Sequence, residues 1–133
     1  NANGFFANVL HFCGEQSDAI EHVTWAIRYS PVYPPFFADV LALAYLFDGG
    51  LDAAMAMASE SLRLNGAGTT ARLVPIAAYS ERGEFAQARE IGSQILAADD
   101  SFSLGRFAAL QPYRNPADLE RFVSSLSSAG LRA

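Results

Sequence analysis

The sequence predicts an all-α fold, an α–α superhelix (a solenoid) of three helix pairs closed by C-terminal capping helices, and three observations predict it. Glycines recur at positions 14, 49 and 83, spaced by 35 and 34 residues. Each is followed five residues later by an alanine (Ala19, Ala54, Ala88) and preceded four residues earlier by a large side chain (Leu10, Tyr45, Tyr79). Between these marks, apolar residues return at helical spacing. Self-similarity at a fixed period of this length is the mark of stacked supersecondary units, each too small to bury its own apolar face.

The elements follow in order. In the first unit, about 3–31, Phe5, Phe6, Val9, Leu10 and Cys13 share one face of the first helix and are expected in the core. Gly14 should stop that helix, because glycine enters the left-handed C-cap conformation without a Cβ clash. Ala19, Ile20, Val23, Ala26 and Ile27 line the second helix, and Pro31 ends the unit. Pro34-Pro35 breaks the chain and opens the second unit, about 35–65, where proline is tolerated in the first turn. Its helices are expected at 35–47 and 51–64, around Gly49. The third unit, about 69–99, has helices expected at 69–82 and 84–98, around Gly83. Pro75 lies inside the first of these, at a cost of about 3 kcal/mol. Either that helix kinks, or it begins near Pro75 after a turn over 69–74. A kinked helix is expected, since Leu73, Ile76 and Tyr79 continue one face. The cap, 101–130, should hold a short helix started by Ser101 and carrying Phe102, Leu104, Phe107 and Leu110. A last helix follows, with Asn115 as N-cap, Pro116 at N1, Asp118 near the positive end of the helix dipole, and Leu119, Phe122, Val123 and Leu126 as its buried stripe. Gly130 is the expected stop. The whole of 1–133 reads as one domain.

Composition bounds the function. Of 133 residues, 51% are apolar and 17% charged, enough apolar mass for a substantial core. The formal charge is −5, and all nine basic residues are arginines. An acidic surface without a basic cluster argues against nucleic acid and anionic membranes. No apolar run reaches the roughly 20 residues a membrane-spanning helix needs. The first residues lack the basic region of a secretion signal; the chain reads as an excised piece, with Asn1-Ala2 as a cloning remnant. A single cysteine, Cys13, fits a reducing compartment, and the exclusive use of arginine is associated with GC-rich bacterial genomes. A bacterial cytoplasmic location is expected.

Four constellations invite a chemical reading, and each fares poorly. His11, Cys13, Glu15, Glu21 and His22 cluster in sequence. His11 and Cys13 are two apart on a helix and point to different faces, so no zinc site is expected; Cys13 is expected to be buried and the histidines to sit at the solvent edge. Asp99-Asp100-Ser101 lacks a calcium-loop glycine and reads as a turn between helices. Asn65-Gly66-Ala67-Gly68 has no Lys-Ser or Lys-Thr pair after it and reads as a loop rather than a phosphate cradle. No serine sits on a strand-to-helix elbow. No catalytic residue, cofactor or metal is expected.

The glycine–alanine punctuation, with Ala26 and Pro31 closing the first unit, resembles the tetratricopeptide repeat. The resemblance implies that the first helices of successive units line an inner groove. By repeat position that groove comprises Asn8, His11 and Phe12, then Phe36, Asp39, Leu43, Leu46 and Phe47, then Leu73 and Ala77, with Ser80 and Glu81 beside them. Chaperone-binding members grip a C-terminal carboxylate with basic residues and Asn; here only Asn8 matches and Gly4 stands where the first Lys would be. The groove's middle is apolar instead. Either the C-terminal helix of the chain covers it, or it docks a partner helix, a second copy in a homodimer, or an upstream domain. The tail, from Phe102-Ser103 through Gln111-Pro112-Tyr113-Arg114-Asn115-Pro116 to Ala129-Gly130-Leu131, resembles the C-terminus of bacterial class III adenylate/guanylate cyclase-like proteins, in which a tetratricopeptide region follows the cyclase domain. A related architecture carries a winged-helix DNA-binding domain instead. Gly66 where these repeats usually have Pro, and Pro75 within a helix, depart from the pattern. The resemblance implies a non-catalytic scaffold or regulatory module with a protein partner.

Overall fold

A computed structural model describes residues 2–64 and 68–131, with side chains from Phe6 onward. Asn1, the side chains of residues 2–5 (Phe5 and the position of Gly4 among them), the loop residues Asn65, Gly66 and Ala67, and residues 132–133 lie outside the described residues. Within them the chain forms eight helices and no strand: α1 (Ala2–Phe12), α2 (Gln16–Tyr29), α3 (Pro35–Phe47), α4 (Leu51–Arg63), α5 (Thr69–Glu81), α6 (Phe85–Ala98), α7 (Leu104–Ala109) and α8 (Pro116–Ser127).

The recurring glycines build the same turn three times. Gly14, Gly49 and Gly83 have φ of 88°, 88° and 79°, a region that side chains disfavour. At each, the glycine N–H donates to the carbonyl three residues back, and the next N–H donates to the carbonyl five residues back, at Leu10, Tyr45 and Tyr79 (2.8–2.9 Å). This pair of bonds is the Schellman C-cap, and it satisfies carbonyls that the helix end would leave bare. The large residue four before each glycine thus supplies the acceptor that closes the turn.

Identical turns give identical pairing. α1 packs on α2, α3 on α4 and α5 on α6; α3 also packs on α2 and α5 on α4; and α1, α3 and α5 touch in sequence. The second helices bury the residues at i, i+4 and i+7, the first of them always an alanine. These are Ala19, Val23 and Ala26 in α2, Ala54, Ala58 and Ser61 in α4, and Ala88, Gly92 and Ile95 in α6, all buried. α3 sits centrally and is apolar nearly all round, as a doubly covered helix must be.

α5 runs through Pro75 unbroken from Thr69 to Glu81. Proline carries no N–H, so the Ala71 carbonyl lacks the donor four residues on. Ala71 and Pro75 line a cleft of about 420 Å³ among α4, α5 and α6, with Arg72 and Gln94 at its walls.

The C-terminal part matches the reading at α8 and differs at α7, which spans Leu104–Ala109, so that Phe102 precedes it and Leu110, 80% exposed, follows it. Asn115 caps α8, accepting from the Ala117 N–H at 3.0 Å, with Pro116 in the first turn. Phe122 and Leu126 are buried, and Gly130 has φ of 75°. The residue that caps α7 is Ser103, accepting from the Arg106 N–H, and not Ser101. Ser101 is held by the Asp99 carboxylate, which accepts from both its N–H and its hydroxyl.

Three expectations at the N-terminus are overturned. The α1 face carrying Phe6, Val9 and Cys13 points outward: Phe6 is 51% and Val9 59% exposed, and Cys13 is exposed. The buried face is the one with Ala7 and His11, and His11 is fully buried instead of lying at the solvent edge. The cause is position: α2 and α3 cover one side of α1, and on the other the His22 ring of α2, edge-on to Phe6 at 4.9 Å, leaves both Phe6 and Val9 more than half exposed.

Candidate functional site

Of the groove positions inferred from the sequence, His11, Phe12, Leu46, Phe47 and Ala77 come together on one face, on the side of α1, α3 and α5. That face is filled by the chain's own C-terminal segment. The Arg114 N–H donates to the Phe12 carbonyl at the end of α1 (3.0 Å), which brings Tyr113 inward. The Tyr113 ring lies parallel to Phe47 at 5.2 Å between centroids, and meets Phe12 at 4.6 Å and His11 at 5.2 Å edge-on. Phe122 of α8 continues the cluster, edge-on to Phe47 at 5.6 Å. Offset and edge-on arrangements suit the ring quadrupoles and add about 1 kcal/mol per pair beyond area burial.

His11 is the polar centre of this cluster. Gln16 fixes its tautomer. The Gln16 amide nitrogen donates to the His11 carbonyl (3.0 Å), which turns the amide oxygen toward the ring to accept from Nδ1–H (2.7 Å). Nε2 is then the bare nitrogen, and it accepts from the Tyr113 hydroxyl (2.7 Å). Burial takes the imidazole down to about 4; the Gln16 bond and the Asp118 carboxylate pull upward and do not offset it. Burial likewise pushes the Tyr113 phenol up, helped by Asp118. The pair is neutral at physiological pH, with both ring nitrogens engaged. The arrangement holds two distant parts of the chain together, and it takes up both imidazole nitrogens in doing so.

Further along, Ser80 and Ser128 share a hydrogen bond of 2.6 Å, and the Arg121 guanidinium reaches Glu81 at 3.0 Å. Leu46, Phe47, Ala77 and Phe122 close over a residual void of about 10 Å³. Leu43, Leu46, Leu73 and Ala77 are therefore core residues, between 0% and 6% exposed, and the apolar middle of the groove is not open. Asn8, Phe12, Phe36, Asp39 and Phe47 remain half-buried. Asp39 turns toward α4, where its carboxylate accepts from the buried Ser61 hydroxyl (2.6 Å); burial raises its affinity for a proton, and the Ser61 bond opposes that shift.

Of the repeat-marking residues, Ala19, Ala26, Ala54 and Ala88 are buried, Tyr45 and Tyr79 half-buried, and Pro31 exposed. Among the described residues, no three His, Cys, Asp or Glu side chains come together as metal ligands, and no helix is long and apolar enough to cross a membrane. Sequence reasoning did not pick out Gln16 or the bonding role of Tyr113. The signal that could have found them is faint: a histidine at a groove position, and an aromatic in the loop before α8 free to reach it.

No protein-family model matches the chain, and no curated protein is significantly similar to it.

Proposed function

We propose that this chain is a non-catalytic scaffold or regulatory module of the tetratricopeptide type, an α–α superhelix whose task is to hold a protein partner or an adjoining domain. The observation that carries this reading is the threefold recurrence of one construction: the same Schellman turn, followed by a second helix with a buried alanine five residues after the glycine. That construction makes helices stack. Its most elaborate polar arrangement, at His11, is spent on fastening the chain to itself. The tail motif ending in Ala129-Gly130-Leu131 supports placing the module at the C-terminus of a bacterial class III cyclase-like signalling protein in the cytoplasm, with catalysis in another domain.

The reading frame around residues 1–133 tests the context. A cyclase core ahead of residue 1 supports it; a winged-helix domain there transfers the module to a transcriptional regulator. With a cyclase core present, a Tyr113→Phe change should alter cyclase output while the isolated core's KM for nucleotide stays the same. Unchanged output in that variant and in a His11→Asn variant would refute a regulatory role.

A further inference from the structure

The third unit has a cleft where the second unit has core. Counting from Gly49 and Gly83, Phe37 and Leu41 of α3 correspond to Ala71 and Pro75 of α5. Phe37 and Leu41 are 2% and 4% exposed, and they share an apolar cluster with Ile27 of the preceding helix α2 and Met57 of α4. Counted the same way, the counterparts of Ile27 and Met57 are Leu62 of α4 and Ile91 of α6. These two, with Ile95, Ala71 and Pro75, line the cleft of about 420 Å³. So a phenyl ring and an isobutyl group become a methyl group and a proline ring, and the walls do not close up behind them. Close-packed interiors leave few spaces even the size of a water molecule, whereas this volume is in the range of small-molecule pockets. The polar residues change together with the apolar ones. Ala38 of the second unit becomes Arg72, and Glu60 becomes Gln94. Glu60 accepts from the Tyr33 hydroxyl and pairs with Arg63. Arg72 and Gln94 are exposed at the cleft, and among the described residues no carboxylate pairs with Arg72. An acid has been removed and a cation added.

We infer that the cleft among α4, α5 and α6 binds a small aromatic monocarboxylate, with its ring in the space that Phe37 fills in the second unit and its carboxylate on the Arg72 guanidinium. The second unit specifies the ring, because the side chain that makes this place core there is a phenyl group packed between an Ile and a Met. The apolar walls take such a ring out of water. Arg72 specifies the anion: a planar guanidinium offers a carboxylate two parallel N–H donors, and the Gln94 amide is a further donor beside it. Both polar groups are exposed, so the carboxylate keeps part of its hydration and is not buried unpaired. The site goes beyond the scaffold reading and does not depend on it.

The test titrates the full chain with 3-phenylpropionate and follows amide and methyl NMR shifts. The expected result is saturable binding with the largest shifts at Leu62, Arg72, Ile91 and Ile95. 3-Phenylpropionamide, which has the ring without the charge, and propionate, which has the charge without the ring, should each bind at least about tenfold more weakly. Arg72→Gln, an exposed substitution that keeps the parent's melting temperature, should weaken 3-phenylpropionate at least about tenfold and leave 3-phenylpropionamide unaffected. Ala71→Phe, which rebuilds the second unit's packing from within, should remove the shifts at the cleft; if that variant does not fold, the Arg72→Gln comparison decides. No saturable shift up to about 10 mM, a limit that covers inefficient binding by a ligand of this size, overturns the inference. So do shifts centred elsewhere, equal binding of the amide or of propionate, undiminished binding by Arg72→Gln, and a folded Ala71→Phe variant that still binds. None of these results touches the scaffold reading, which falls only on the cyclase-output measurement.

Discussion

The first and last thirds of the molecule are built from the same kind of helix and end in opposite ways. At the C-terminus, α8 lies against α5, the tail passes over Gly92, and Phe122, Leu126, Ala129 and Leu131 are buried. At the N-terminus, Phe6 and Val9 of α1 and Cys13 just after it face outward, and α2 adds Trp25 and Tyr29, whose rings meet at a tilt 4.6 Å apart and are more than half exposed. An apolar stripe in a sequence reports that a face wants covering; it does not report whether this chain supplies the cover. Closure comes from two devices: the Gly92 contact, which lies within the C-terminal half, and the His11–Tyr113 bond, which ties the tail back to α1.

The largest effect is expected at Gly92. A Gly92→Val change puts side-chain atoms where the Ala129 backbone lies, with overpacking worth about 3 kcal/mol. Urea denaturation should show that loss, whereas Gly→Val at a comparably packed but uncrowded helical site costs no more than about 1 kcal/mol.

Acid should open the same end. The His11 imidazole is lowered from its ordinary value to about 4 in the folded chain, so the unfolded chain binds the proton more tightly. The stability contributed by keeping His11 neutral is fully present above about pH 6.5 and is lost as pH falls toward about 4, in total about 3 kcal/mol. A stability–pH profile of the parent against His11→Asn, which cannot titrate, should isolate that slope. Parallel profiles would contradict the account of the buried bond.

Tyr113→Phe should cost less, about 1–2 kcal/mol, because the stacking on Phe47 survives and only the bond to Nε2 is lost. Its signature is a His11 that titrates upward as water reaches the ring, read by ring-proton NMR. The smallest effect belongs to the open end. Phe6→Glu should change stability by no more than about 0.5 kcal/mol, as surface substitutions do, and a drop of several kcal/mol would show that this face is covered after all.

Much of the fold was legible because it is carried by local signals. Glycine four residues beyond a large side chain, and alanine five beyond the glycine, mark a turn that local bonding alone specifies, and the α3 boundaries at Pro35 and Phe47 follow from a proline at N1 and the glycine after the helix. The Asn115-Pro116 start of α8 is equally local. What stayed hidden depends on contacts between residues far apart. Leu43 and Leu46 look like a groove in any single repeat; only the return of the chain a hundred residues after His11 turns that groove into core. Cys13 and His11 exchange their expected environments for the same reason: helical spacing fixes which residues share a face, and long-range packing decides which face is inside. The shift of the α7 cap from Ser101 to Ser103 reflects competition between two serines, won at position 101 by the neighbouring Asp99 carboxylate.

Solvent accessibility measured side chain by side chain tests the contrast between the two ends most directly. With a soluble paramagnetic gadolinium chelate added to the intact chain, the account predicts strong relaxation enhancement at Phe6, Val9 and Trp25, and little at Leu46, Phe122 and Leu126. Equal enhancement at the two ends, or protection of Phe6 and Val9 alongside exposure of Phe122, would contradict it.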